Sequence, residues 1–110
     1  MMSHPKEVDI ARGIRMIEWL KAELVDGLAT LFKALVKNSG EMIGDALATI
    51  IMTCYFLGKR LGVSFQQLDQ GLKEKLRSHL EADHQLEKWY GDISGLLHYM
   101  DEKTEERNNW

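Results

Sequence analysis

Four carboxylates stand out in the apolar part of this chain. Glu23 and Asp26 are three residues apart, and Glu41 and Asp45 are four apart. Residues at these spacings share one face of a helix, so each pair projects as a unit. Between the pairs lies Asn38-Ser39-Gly40, which is turn chemistry. A turn this short makes the flanking helices antiparallel neighbours, and both pairs lie within roughly four helical turns of it. That placement allows the two pairs to face each other across one groove. Hard cations such as Mg2+ take carboxylate oxygens in such an arrangement.

Each acid also has a plainer reading. Ser39 is placed to cap the second helix through its hydroxyl, and Glu41 then falls in the first turn, where the helix dipole favours an acid. Glu18, Glu23 and Asp26 read equally as a solvated face. Asp45 is different, because it lies beyond the first turn among Ile43, Ala46, Leu47 and Ile50. A carboxylate on an apolar helix needs a cation, a metal or a water-filled groove.

The elements that must position these groups are helical. Between 8 and 37, Ile10, Ile14, Ile17, Leu24, Leu28, Leu31 and Leu35 follow three-four spacing, which predicts a bundle seam. Lys21 fills a gap in that seam and either snorkels out of it or meets the nearby carboxylates. The second helix is apolar nearly all round from Ile43 to Leu57, so burial on several sides is expected, with Cys54 an inert buried thiol. It ends with Lys59 and Arg60, cations suited to a helix C-terminus, and with Gly62 as a left-handed cap.

Ser64-Phe65-Gln66-Gln67 has the form of a capping box. The third helix carries Phe65, Leu68, Leu72 and Leu76 inward, with Lys73, Lys75 and Arg77 as a solvated face or a phosphate-receiving group. His79 and His84 are five apart, which on a helix would separate their rings. A fourth helix is expected from about 85 to 103, with Leu86, Trp89, Ile93, Leu97 and Met100 as its stripe and Trp89 and Tyr90 in the core. Together these elements predict an all-α protein, an antiparallel four-helix bundle completed by oligomerisation. Its domain spans 8–103, between a flexible N-terminus (1–7) and a frayed tail (104–110).

Composition bounds the function. A chain of 110 residues with 45% hydrophobic content fits one domain, and so small a domain leaves apolar surface that a second copy would cover. A net charge of −3 argues against broad electrostatic capture of nucleic acid. One cysteine excludes an intrachain disulfide. The N-terminal residues lack the apolar core of a signal peptide, and no stretch is read as approaching the roughly 20 apolar residues of a membrane span. A cytoplasmic protein with neither membrane nor nucleic-acid partner is expected. Phosphate loops, nucleophile elbows, zinc spacings and dinucleotide fingerprints are absent from the sequence.

The stretches Leu20-Lys21-Ala22-Glu23-Leu24-Val25-Asp26 and Glu41-Met42-Ile43-Gly44-Asp45-Ala46-Leu47 resemble the MazG-like members of the all-α nucleoside triphosphate pyrophosphohydrolases. Leu57-Gly58-Lys59-Arg60-Leu61-Gly62-Val63-Ser64 and Leu72-Lys73-Glu74-Lys75-Leu76 fit that family's third-helix region, so the resemblance covers about residues 14 to 78. Leu86-Glu87-Lys88-Trp89-Tyr90-Gly91-Asp92 is similar to a MazG-like subgroup.

The resemblance implies Glu-Glu-x-x-Glu on one helix and Glu-x-x-Asp on the next as metal motifs. Ala22 stands at the leading position, Glu23 matches the second and Asp26 replaces the third. Asp45 matches on the next helix, with Met42 three residues before it. Glu41 is one residue out of register, about 100° round the helix. The implied metal ligands are Glu23, Asp26 and Asp45, with Glu41 as a further candidate. Lys75 occupies the family's basic position near phosphates, and Lys21 is a second candidate there.

The activity implied is Mg2+-dependent hydrolysis of a nucleoside triphosphate to monophosphate and pyrophosphate, in a homodimer or homotetramer. The alternative, favoured by Ala22 and Met42, is a non-catalytic helical module that binds nucleotide or serves as a structural or regulatory partner.

Overall fold

The computed structural model describes residues 5–108 and is all-α. Five helices follow in order: α1 (Pro5–Lys37), α2 (Gly40–Arg60), α3 (Phe65–Glu81), α4 (Gln85–Tyr90) and α5 (Asp92–Asn108). The chain divides into two compact units, one ending at Phe65 and the next beginning at Gln66.

The first unit is an antiparallel hairpin of α1 and α2. Proline suits a first helical position, where the missing N–H would have no intrahelical partner, and α1 begins at Pro5. It ends at Asn38, whose φ of 54° is left-handed and tolerable for asparagine. Ser39 then caps α2 as its sequence predicts, its Oγ accepting from the Met42 backbone N–H at 3.3 Å. At the far end Gly62 is left-handed, and Val63 N–H donates to the Gly58 carbonyl at 2.8 Å.

The seam of the hairpin is not the predicted row of large side chains. The buried line on α1 is Leu20, Gly27 and Ala34, and on α2 it is Ala46 and Thr53. Both lines step by seven residues, the repeat of a coiled-coil contact. Gly27, Ala34 and Ala46 are small, and at Gly27 an added Cβ would already meet Ile50 Cγ1 at 3.2 Å. Thr53 pays no penalty for burial, because its hydroxyl donates to the Thr49 carbonyl at 2.7 Å. Ile10, Ile14, Leu28 and Leu35 are exposed instead, and Ile17, Leu24 and Leu31 are half-buried.

The expected burial of α2 on several sides is likewise not found within one chain. Only Ala46 and Thr53 are buried, while Leu47, Ile51, Met52 and Phe56 are exposed. Cys54 is exposed too, not the buried thiol expected. A two-helix hairpin can cover only one stripe of each helix, whatever the apolar content of the rest. The 21-residue α2 also has the length and hydropathy of a membrane-crossing helix, against the expectation that no stretch approaches it. Asp45 interrupts that apolar run.

The second unit differs from the expected single last helix. Gly91 takes φ of 69° and closes α4 with its N–H on the Glu87 carbonyl at 2.9 Å. This left-handed step, cheap only for glycine, splits the segment into α4 and α5. The Glu87 carboxylate reaches across the corner, accepting from the Ser94 backbone N–H at 2.9 Å and from the Ser94 hydroxyl. Ile93 is buried, Leu97 and Met100 are half-buried, but Leu86, Trp89 and Tyr90 are exposed, so the core reading of the two aromatics is corrected. On α3, Leu68 and Leu76 are half-buried while Phe65 and Leu72 are exposed. The α5 helix continues to Asn108, beyond the 103 that its apolar stripe predicts. Of the N-terminus expected to be flexible, residues 1–4 lie outside the described residues, as do 109–110 of the tail.

Candidate functional site

The hairpin positions the four acids. Glu23 and Asp26 are on α1, Glu41 and Asp45 on α2, and all are exposed except the half-buried Glu23. Among the described residues none of the four carboxylates is engaged in a hydrogen bond or ion pair. Asp45 contributes only its backbone carbonyl, which accepts from the Thr49 hydroxyl at 3.0 Å. Its exposure removes the need for a buried counter-charge that its apolar sequence neighbours suggested.

The register of the hairpin sets how far apart these groups stand. A Cβ on Gly27 would meet Ile50 Cγ1 at 3.2 Å, so Asp26 is level with Ile51 and Glu23 with Cys54. At 1.5 Å of rise per residue, Asp45 is displaced along the axis by about 9 Å from Asp26 and about 14 Å from Glu23. Among the described residues no group of three or more His, Cys, Asp or Glu side chains is close enough to hold a metal. Each pair projects as a unit, but one chain does not join the two pairs into a single ligand set. The turn at 38–39 falls too far from Asp26, and too close to Asp45, for that.

The cations are divided. Lys21 is paired with Glu18 at 2.9 Å on the surface. Lys75 and Arg77 are exposed on α3, without an ion pair among the described residues. Lys73 has a structural role that its spacing did not reveal. Its side chain is only 12% exposed, and its Nζ lies 3.2 Å from Asp101 and 3.0 Å from Thr104 Oγ1.

The two histidines are also closer than a helix would put them. Asp83 takes φ of 57° and turns the chain after α3, which brings the His79 and His84 rings edge to face at 5.1 Å. Both are on the surface. His84 Nδ1 accepts from the Leu86 backbone N–H at 3.1 Å and so caps α4.

The family model that matches this chain is that of the MazG-like family, over residues 10–93. The chain belongs to the MazG-like family. The match spans both acidic pairs, Lys75 and the α4 helix. It supports a helical domain of the nucleotide pyrophosphohydrolase type, in agreement with the all-α fold. No curated protein and no solved structure matches the chain.

The donor chemistry of this MazG-like hairpin suits a hard cation. Mg2+ is commonly held by one or two carboxylates together with substrate phosphates, not by a complete protein cage. Glu23 and Asp26, on one face and free of other partners, meet that modest requirement. Asp45 offers a third carboxylate at a distance that one chain does not close.

Proposed function

We propose that this MazG-like domain is a Mg2+-dependent nucleoside triphosphate pyrophosphohydrolase that works as a homodimer or homotetramer in the cytoplasm. The observation that carries the reading is the family match over 10–93, which contains Glu23, Asp26 and Asp45 as acids with no other partner. Glu23 and Asp26 would hold the metal against the phosphates of the substrate, and Lys75 would add a positive charge for phosphate. Bound there, Mg2+ supplies charge neutralisation and a lowered pKa for the attacking water. The chain's own part is to orient two carboxylates on one rigid helix and leave them unpaired.

Oligomerisation completes this reading in two ways. A second copy would cover the apolar flanks of the hairpin, where Ile10, Val25, Phe32 and Ile51 are exposed; surfaces of this kind mark association sites. It would also bring its Asp45, or Glu41, to the Glu23–Asp26 pair, supplying the carboxylate that the register of one hairpin holds away.

The deciding experiment follows pyrophosphate release from nucleoside triphosphates with Mg2+, beside calorimetric titration of Mg2+ with a non-hydrolysable triphosphate. Activity, and Mg2+-dependent binding lost in Glu23→Gln and Asp45→Asn, is expected. A folded protein that neither binds nor turns over any nucleoside triphosphate overturns the reading. Light scattering at micromolar concentration is expected to give a dimer or tetramer, and a monomer contradicts the assembly.

A further inference from the structure

The hairpin carries a cleft at its open end, away from the turn. Its volume is about 290 Å³, and it is lined by Met16, Trp19 and Leu20 from α1 and by Phe56, Lys59 and Arg60 from α2. Leu20 is buried and forms the floor, while Trp19 and Phe56 remain 56% and 46% exposed. Lys59 Nζ stands 4.8 Å from the centroid of the Phe65 ring. Among the described residues neither Lys59 nor Arg60 is paired with a carboxylate.

The dipole of α2 accounts for cations in its last turn, but not for an aromatic wall facing them from α1. Apolar lining with a few convergent polar groups is the make-up of a small-ligand site, and this volume sits at the lower edge of the roughly 300–1,000 Å³ range of such sites. Two cations without acidic partners favour an anionic end on the ligand. Trp19 and Phe56 favour a planar body, since aromatic faces stack on any nucleobase with little regard to its identity. Lys59 and Arg60 line the cleft beside the two rings, so side chains alone can supply its phosphate contact.

We infer that the cleft is a metal-independent site for a nucleoside monophosphate, with the base on Trp19 and Phe56 and the phosphate on Lys59 and Arg60. The choice of a nucleotide among planar anions rests on the pyrophosphohydrolase reading above, whose product is such a molecule.

The test uses the full chain with Trp89→Phe and Trp110→Phe, so that Trp19 is the sole tryptophan fluorophore. AMP and CMP are titrated in EDTA, beside adenosine and inorganic phosphate. Saturable quenching by both monophosphates below millimolar concentration is expected, with adenosine and phosphate each at least tenfold weaker. The double variant Lys59→Gln, Arg60→Gln should weaken binding at least tenfold. The exchange Lys59→Arg, Arg60→Lys should retain it, and Glu23→Gln with Asp45→Asn should not change it.

Absence of quenching overturns the inference, as does quenching indifferent to the Gln substitutions or equal for adenosine and AMP. If Trp19 is shielded from acrylamide where light scattering shows an oligomer, and no monophosphate quenches it, the cleft is an interface and the inference fails. Triphosphate hydrolysis without monophosphate quenching refutes the cleft alone, whereas quenching without hydrolysis refutes the hydrolase reading alone.

Discussion

Gly27 on α1 lies so close to Ile50 on α2 that a Cβ added to it would meet Ile50 Cγ1 at 3.2 Å. This contact fixes both the spacing of the hairpin and its register, and through the register the distance between the acidic pairs. Gly27→Leu is expected to force the helices apart and destabilise the protein by about 2 kcal/mol. Gly44 on α2 has nothing within 4 Å of an added Cβ; Gly44→Ala should therefore gain up to about 1 kcal/mol from helix propensity. Urea unfolding of the two variants beside the wild type checks the contrast.

Ser39 sets where α2 begins. Its Oγ receives the Met42 N–H at 3.3 Å, one of the donors that a helix start leaves without a partner. Ser39→Ala should cost about 1 kcal/mol and Ser39→Asp almost nothing, since aspartate caps as well as serine does. Thermal melts followed by circular dichroism report both. A full loss with aspartate would show that the hydroxyl does something other than cap.

Lys73 and Lys75 are two residues apart on α3 but do different things. Lys73→Ala removes a cation tied to Asp101 and Thr104 and nearly withdrawn from solvent. A cost of about 2 kcal/mol is expected, in the range of hydrogen bonds to charged groups. Lys75 is exposed, so Lys75→Ala should stay within about 0.5 kcal/mol while weakening triphosphate binding. Chemical denaturation and calorimetry separate the two effects.

Glu87 anchors the corner between α4 and α5 by accepting from Ser94 N–H and its hydroxyl. Glu87→Ala should cost about 1 kcal/mol, comparable to a lost helix cap. Faster amide exchange confined to residues around 91–95 is the expected signature. Exchange unchanged there would show that Gly91 alone holds the corner.

Asp45 is exposed and unpaired within one chain, so Asp45→Asn should change the stability of the isolated subunit by no more than about 0.5 kcal/mol. Equilibrium unfolding across a range of protein concentrations tests this. A gain in stability that grows with concentration would place Asp45 inside the assembly, where a lone carboxylate is costly.

The first three helices, their order and most of their ends were legible in the sequence, because caps and breakers act over a few residues, whereas the last segment, expected as one helix, is two. Ser39, Gly62 and the turn at Asn38 are local signals of this sort, as is the helical periodicity of residues 8–37. Gly91 carried a local signal too, but a glycine inside a helical pattern is compatible with continuation or with a left-handed corner. The Glu87–Ser94 contact, seven residues apart, accompanies the corner. The candidate site residues were named from the sequence in two steps: spacing marked Glu23 with Asp26 and Glu41 with Asp45 as acidic pairs, and the resemblance to the MazG-like family implied Glu23, Asp26 and Asp45 as metal ligands and added Lys75.

What the sequence could not decide is which apolar side chains pack and which acids meet. Periodicity marks a face as apolar, but only contact between α1 and α2 selects Leu20, Gly27 and Ala34 over the larger residues beside them. At Gly27 even a Cβ would press on Ile50 Cγ1 at 3.2 Å, so no large side chain fits at that point of the seam. Likewise, each acidic pair is local to one helix, whereas the offset between pairs depends on where the turn falls and on the Gly27–Ile50 contact. Lys73 illustrates the same division. Its charge was plain, but its partners lie some thirty residues away on α5, and only the folded chain brings them to it.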